Sequence, residues 1–142
     1  MPGLRTYSLG KARPYYPNFN KPEDLAAQTY EIQGKGASLN EYNVALGLES
    51  MGYEYEFQVD LFGGRRELGG AVLDFLVVTV PLPTPLLVQG DYWHSGIDHE
   101  KDLLLMARIE SELGGEMNPP VELWSYQTAT PEIALFWLRR YL

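Results

Sequence analysis

Residues 73–94 read LDFLVVTV, then PLPTP, then LLVQGDYWH. Two short apolar runs flank a proline-rich connector, and this pattern predicts two adjacent strands joined by a turn. One carboxylate, Asp74, interrupts the first run near its start. A lone carboxylate in a buried strand is costly unless it is paired or binds a cation. Asp74 therefore needs a partner, and Gln89, Asp91 and His94 follow the second run, where they can reach it across the hairpin.

The composition bounds the class of protein. A chain of 142 residues with 45% apolar residues is expected to form one domain with a substantial core. No apolar run is long enough for a transmembrane helix, and residues 1–20 lack the apolar segment of a signal peptide. We therefore expect no membrane association and a cytoplasmic location. The absence of cysteine excludes disulfides, thiolate zinc sites and a cysteine nucleophile.

The net charge of −8 is unevenly distributed. Residues 1–37 contain five basic and three acidic residues, a net charge of +2, so the remainder carries −10. An excess of acid argues against strong nonspecific binding to nucleic acid. It does not exclude a nuclease whose carboxylates are masked by metal.

Residues 1–37 lack clear periodicity and are interpreted as an extended N-terminal arm, separate from a domain over residues 38–142. The segment 14–22 is rich in proline and aromatic residues, and its aromatic residues lie beside Arg13 and Lys21 in the sequence. Such aromatic side chains stack on bases or, more commonly, pack an arm onto its own domain or a partner. The arm is thus the candidate surface for a homodimer, a protein partner or nucleic acid.

The domain begins with a helix at Ser38, because Ser38 and Glu41 have the spacing of a capping box. Glu41 is explained by this cap, and it is also a candidate functional acid in the first helical turn. Residues 53–60 alternate aromatic and acidic side chains, which predicts a half-buried strand. Residues 63–70, which include Arg65 and Arg66, form the loop that follows.

The second half of the chain predicts a helix, a strand and a final helix. The helix covers residues 97–113, the strand residues 121–126, and the last helix starts after Thr130. The apolar face of the first of these helices is assigned to Leu103, Leu104, Met106, Ala107, Ile109 and Leu113. The order α-β-β-β-α-β-α places a helix between the last two strands and therefore predicts an α/β fold with a four-stranded mixed sheet.

The segments GAVLDF, residues 70–75, and GDYWH, residues 90–94, follow a helix that carries Glu41. This arrangement resembles the PD-(D/E)XK nuclease superfamily, in particular the branch of the very short patch repair endonucleases and related phage and bacterial proteins. The resemblance covers residues 38–126 and leaves the N-terminal arm outside. It implies a restriction-endonuclease-like core and metal-dependent cleavage of DNA.

The resemblance also implies roles for individual residues. Asp74 matches the metal-binding aspartate, and Gln89 lies near the place of the second acid on the neighbouring strand. Glu41 matches the helix glutamate that supports the metal, and His94 matches the histidine that contacts the scissile region. The implied metal is Mg²⁺ or Mn²⁺, held by Asp74, Gln89 and Glu41, because Mg²⁺ takes oxygen ligands and needs only one or two carboxylates.

The pattern departs from the family at two positions. Asp91 stands where the family has lysine, and Leu73 precedes Asp74 in place of proline. Lys101, on the following helix, is a candidate substitute for the missing lysine. Two functions therefore remain open. One is a metal-dependent DNA endonuclease in repair, recombination or phage DNA processing. The other is a degenerate nuclease fold that serves as a nucleic-acid-binding or protein-interaction subunit, which the acidic charge and the missing lysine favour.

Overall fold

The computed structural model describes residues 13–14, 30–89 and 96–142, with only the backbone of residues 13, 14 and 96–99. Three helices and seven strands lie in these ranges. In chain order they are β1 (Arg13–Pro14), β2 (Tyr30–Ile32), β3 (Lys35–Ala37), α1 (Leu39–Ser50), β4 (Tyr55–Leu61), β5 (Ala71–Val77), β6 (Thr84–Val88), α2 (Gly96–Leu113), β7 (Val121–Leu123) and α3 (Pro131–Tyr141).

The main sheet is mixed and has the strand order β4-β5-β6-β7. Neighbours pair antiparallel from β4 to β6, while β6 and β7 run parallel. The helix α2 makes the crossover that a parallel pair requires. The expected α/β architecture with a four-stranded mixed sheet is thereby confirmed. The two strands expected on either side of the proline-rich connector are β5 and β6.

The ends of helices α1 and α3 follow from local sequence signals. Ser38 Oγ accepts a hydrogen bond from Glu41 N at 3.2 Å, and Glu41 Oε1 accepts one from Ser38 N at 2.9 Å. This is the expected capping box. At the start of α3, Thr130 Oγ1 accepts from Ile133 N, and Pro131 occupies the first turn.

The sheet separates two apolar clusters. The first packs under α1 and α3 and includes Phe57, Phe75 and Leu138; the second packs under α2 and includes Val59, Leu73 and Ile109. Side chains two residues apart on a strand ordinarily share a face. Phe57 and Val59 break this rule, since they belong to different clusters.

The change of face occurs opposite Asp74. Gln58 has a φ of 56°, a left-handed conformation that is uncommon outside glycine. On β5 the change falls between Leu73 and Phe75, and the register places Gln58 and Asp74 opposite each other. The sheet is therefore locally distorted beside the Asp74 carboxylate, and such distortions are concentrated at functional sites.

The apolar face assigned to α2 is partly wrong. Leu103 and Leu104 are exposed, and Leu105 packs on the second cluster in their place. Leu105, Met106 and Ile109 share one side of the helix because they are three or four residues apart. Asp102, one turn earlier, lies on that same side.

The strands β1, β2 and β3 form a second, antiparallel sheet. The turn of the β2–β3 hairpin lies against the outer edge of β4. Gln33 Nε2 donates to Tyr55 O at 2.7 Å, and Gln33 Oε1 accepts from Phe57 N at 2.9 Å. Lys35 Nζ donates to Phe57 O at 3.0 Å. This end of the expected arm thus packs onto the domain, whereas the aromatic segment 14–22 lies outside the described side chains.

Within the described ranges, no helix has the length and apolar character needed to cross a membrane.

Candidate functional site

Asp74 lies where β5 and β6 stop pairing. Their last partners toward this end are Phe75 and Leu86. Gln89 N donates to Leu123 O of β7, so the N–H of the preceding residue, Val88, faces β5. Val88 N donates to Asp74 Oδ2 at 2.8 Å. The side chain of Asp74 therefore takes a place in the ladder that a backbone carbonyl would fill in a regular sheet.

The Asp74 carboxyl group holds its proton more tightly than usual. Burial raises its pKa from 3.8 to about 7, against the opposing effect of the bond from Val88 N. The charges of Glu41 and Asp102 and a hydrogen bond with Glu41 raise it further. Three acidic side chains on β5, α1 and α2 are thus close enough to interact. Such a group repels itself when all its members are ionised, and a bound cation removes this repulsion.

Glu41 reaches this place because the first turn of α1 is anchored on two sides. Its own Oε1 caps the helix through Ser38 N. Asn43 Nδ2 donates to Thr128 O at 2.8 Å, and Asn40 Nδ2 donates to Thr128 Oγ1 at 2.9 Å. These bonds tie α1 to the loop after β7. The two interpretations of Glu41, as a cap and as a functional acid, are therefore compatible.

Gln89 stands directly after β6 and is 3% exposed. Its Nε2 donates to Asp102 Oδ2 at 2.7 Å and to Glu122 Oε2 at 3.1 Å. Asp102 thus interacts with both Asp74 and Gln89, which brings the two predicted site residues to one region between adjacent strands.

An open groove of about 410 Å³ begins at Asp102. Its walls are the first residues of β5 and one side of α2, with Lys101, Leu104 and Arg108 in the lining. Lys101 is exposed, so an anionic ligand in the groove can reach its ammonium. Asp102 is the residue that the groove shares with the acidic site, because it also interacts with Asp74 and Gln89.

Arg108 braces the loop that forms the far wall of the groove. Its guanidinium stacks over the Phe62 ring at 3.8 Å and donates to Gly69 O. It also pairs with Glu112 at 2.6 Å. These contacts hold the segment between β4 and β5 against α2. Lys101 is the other basic residue of the groove, and it makes no hydrogen bond or ion pair with another described residue.

The donor set is suited to a hard cation with few protein ligands. No group of three or more histidine, aspartate or glutamate side chains among the described residues could hold a metal ion. Two interacting carboxylates, Asp74 and Glu41, together with the amide oxygen of Gln89, match instead the preference of Mg²⁺ for oxygen ligands and retained water. The residues present therefore fit Mg²⁺ or Mn²⁺ by ligand type.

Of the four predicted site residues, Asp74 interacts directly with Glu41, and Gln89 is linked to Asp74 through Asp102. The fourth, His94, lies outside the described residues, as does Asp91. Sequence reasoning missed Asp102 and Glu122, which bind Gln89. Helical spacing held a signal for Asp102, because it precedes Leu105 and Ile109 on the side of α2 that packs on the sheet.

Comparisons of the chain with protein-family models, curated proteins and solved structures gave no match.

Proposed function

We propose that the protein is a metal-dependent DNA endonuclease that hydrolyses phosphodiester bonds in repair, recombination or phage DNA processing. The observation that carries the proposal is the position of the Asp74 carboxyl group. It accepts a hydrogen bond from Val88 N where β5 and β6 part, and it lies close enough to Glu41 and Asp102 for their charges to raise its pKa. Acidic side chains that face one another at this point do not stabilise the sheet. A divalent cation bound among these carboxylates would remove their repulsion and take part in catalysis.

Asp74, Glu41 and Gln89 would hold the Mg²⁺ or Mn²⁺. When bound, such an ion polarises a phosphoryl oxygen and lowers the pKa of its water. The restriction-endonuclease-like core implied by the resemblance in sequence belongs to this proposal, and the strand order β4-β5-β6-β7 with one parallel pair supports it.

The remaining residues of the site bind and orient the substrate. The groove beside Asp102 is open, so an extended polynucleotide backbone can lie along it. Lys101 lines the groove next to the acidic site and would neutralise a phosphate there. His94, which lies two residues before α2 in the sequence, is proposed to donate to the leaving oxygen or the phosphate.

A catalytically degenerate nuclease fold is the second candidate, as a nucleic-acid-binding or protein-interaction subunit. Two observations favour it. Asp91 replaces the lysine of the family pattern, and no three acidic or histidine side chains within the described ranges could hold a metal ion. In this case the acidic site would remain without a catalytic role.

Nicking of supercoiled and branched DNA in Mg²⁺ or Mn²⁺ tests the proposal, together with melting of the protein in each metal. We expect the wild type to nick DNA and to gain melting temperature from the metal, and Asp74→Asn to lose both responses. Glu110→Gln is the matched control, since it removes an exposed carboxylate from α2. A wild type that cuts no DNA form and gains no stability from either metal would exclude the endonuclease and leave the second candidate.

A further inference from the structure

The side-chain amide of Gln89 is held between two carboxylates. Nε2 donates to Asp102 Oδ2 at 2.7 Å and to Glu122 Oε2 at 3.1 Å, and the residue is 3% exposed. The two acids come from α2 and from β7, the strand that pairs with β6. Both N–H groups of the amide are therefore used, and they are used by charged acceptors, which form the stronger class of hydrogen bond.

This environment determines which way the amide faces. Ionised carboxylates only accept hydrogen bonds, so the nitrogen must face Asp102 and Glu122 and the carbonyl oxygen must face away from them. Among the hydrogen bonds of the described residues, none is donated to Gln89 Oε1. The carbonyl oxygen is therefore the part of the amide that remains for a donor or a cation.

We propose that Asp102 and Glu122 are positioning residues that orient the Gln89 amide and keep its carbonyl oxygen available to a divalent cation bound at Asp74. The inference rests on the proposed function, because it assigns these two acids a part in the same site. It explains why an uncharged residue follows β6. The negative charge lies on Asp102 and Glu122, which contact the Gln89 amide and are not proposed to contact the cation.

The positioning role and simple electrostatics predict opposite effects of Gln89→Glu on cation binding. Replacing Gln89 by glutamate adds a negative ligand, and on charge alone Gln89→Glu would strengthen cation binding. In this site a carboxylate at position 89 could donate to neither Asp102 nor Glu122, and three carboxylates would face one another in a buried space. Like charges in such a space repel strongly, so the substitution should instead displace the side chain and weaken binding.

Four proteins separate these possibilities: the wild type, Gln89→Glu, the double variant Asp102→Asn/Glu122→Gln, and the triple variant that combines all three changes. The two amides of the double variant can donate to a carboxylate at position 89, so the triple variant restores both hydrogen bonds with donor and acceptor exchanged. Mn²⁺ affinity by calorimetry and metal-free melting temperature are measured at pH 8. We expect Gln89→Glu to weaken Mn²⁺ binding about tenfold in the wild-type background and to strengthen it in the double-variant background. Glu110→Gln controls for loss of one exposed charge from α2.

The side-chain NH₂ resonances of Gln89 give a second measurement that does not require Gln89→Glu to fold. They are assigned by their loss in Gln89→Met. In the metal-free wild type both protons should exchange slowly with solvent, and Asp102→Ala and Glu122→Ala, which remove the acceptors, should each expose one of them. Fast exchange of both protons in the wild type would overturn the inference.

The results also distinguish failure of the positioning role from failure of the proposed metal-dependent endonuclease. A wild type that binds Mn²⁺ while Gln89→Glu binds it more tightly and melts no lower overturns the positioning role alone. A wild type that binds neither Mn²⁺ nor Mg²⁺ and cuts no DNA overturns both, even if the NH₂ protons of Gln89 are protected. A change in sign between the two backgrounds supports the positioning role.

Discussion

Asp74 Oδ2 accepts a hydrogen bond from Val88 N at 2.8 Å, where β5 and β6 part. A carboxylate thus completes the ladder of a central strand, and it does so beside two further acids. The bond to Val88 N favours the ionised form of Asp74, whereas burial, Glu41 and Asp102 oppose it more strongly and raise its pKa. The site is therefore under electrostatic strain in the metal-free protein.

Asp74→Asn should relieve this strain. Asparagine keeps the shape, and its Oδ1 can accept the bond from Val88 N, but it carries no charge. We expect the metal-free variant to be more stable than the wild type by about 1–3 kcal/mol at pH 8. Urea unfolding of both proteins in a chelating buffer measures the difference. A variant less stable than the wild type would indicate that Asp74 is a structural acceptor whose charge the sheet requires.

The same carboxyl group predicts how stability depends on pH. Because its pKa is raised, the folded protein retains a proton on Asp74 up to a pH of about 7, whereas the unfolded chain releases it near 3.8. The folded state therefore binds more protons between these values, and the free energy of unfolding falls as pH rises through this window. Asp74→Asn should lack this contribution. The difference in unfolding free energy between variant and wild type should increase from about pH 4 to about pH 7 and level off above that. A difference that stays constant with pH would contradict the raised pKa.

A close helix contact gives a prediction away from the site. A Cβ atom at Gly47 of α1 would lie 2.8 Å from Leu138 Cδ1 and 3.5 Å from Leu135 N. Gly47→Ala should therefore destabilise the protein by about 1–3 kcal/mol through overpacking against α3, despite alanine's higher helix propensity. Ser50→Ala, at an exposed position of the same helix, is the control and should be neutral or stabilising. Equal stability of the two variants would show that α3 can shift to admit the methyl group.

The contact of Gln33 with β4 can be tested by shortening one side chain. Gln33 has a φ of 52°, which asparagine also tolerates, so Gln33→Asn keeps the turn and withdraws the amide from Tyr55 O and Phe57 N. Loss of both hydrogen bonds should lower the free energy of unfolding by about 1–3 kcal/mol. Chemical denaturation measures this loss. An unchanged midpoint would mean that water replaces the amide without cost.

Much of the fold could be predicted because its signals are local. The capping box at Ser38, the proline after Thr130 and the apolar runs of β5 and β6 each depend on a few neighbouring residues. The face of α2 could not be predicted as reliably. Its leucines 103, 104 and 105 are consecutive, and only packing on the sheet selects Leu105 for burial.

Some residues of the candidate site could also be predicted from the sequence, and others could not. Asp74 could be identified because a carboxylate in an apolar run is conspicuous, and Gln89 because it ends the next strand. Glu122 could not be, since its role depends on the parallel pairing of β7 with β6, which joins residues far apart in sequence. The change of face at Gln58 was equally hidden, because regular alternation of residues 53–60 gives no sign of it.

The clamp that Gln33 and Lys35 make on β4 has a consequence for self-association. An edge strand with free N–H and C=O groups is a template on which another chain can add a strand. Here side chains occupy Tyr55 O, Phe57 N and Phe57 O. The edge stays covered only while the β2–β3 hairpin is folded. Aggregation by strand addition at β4 should therefore require that hairpin to open.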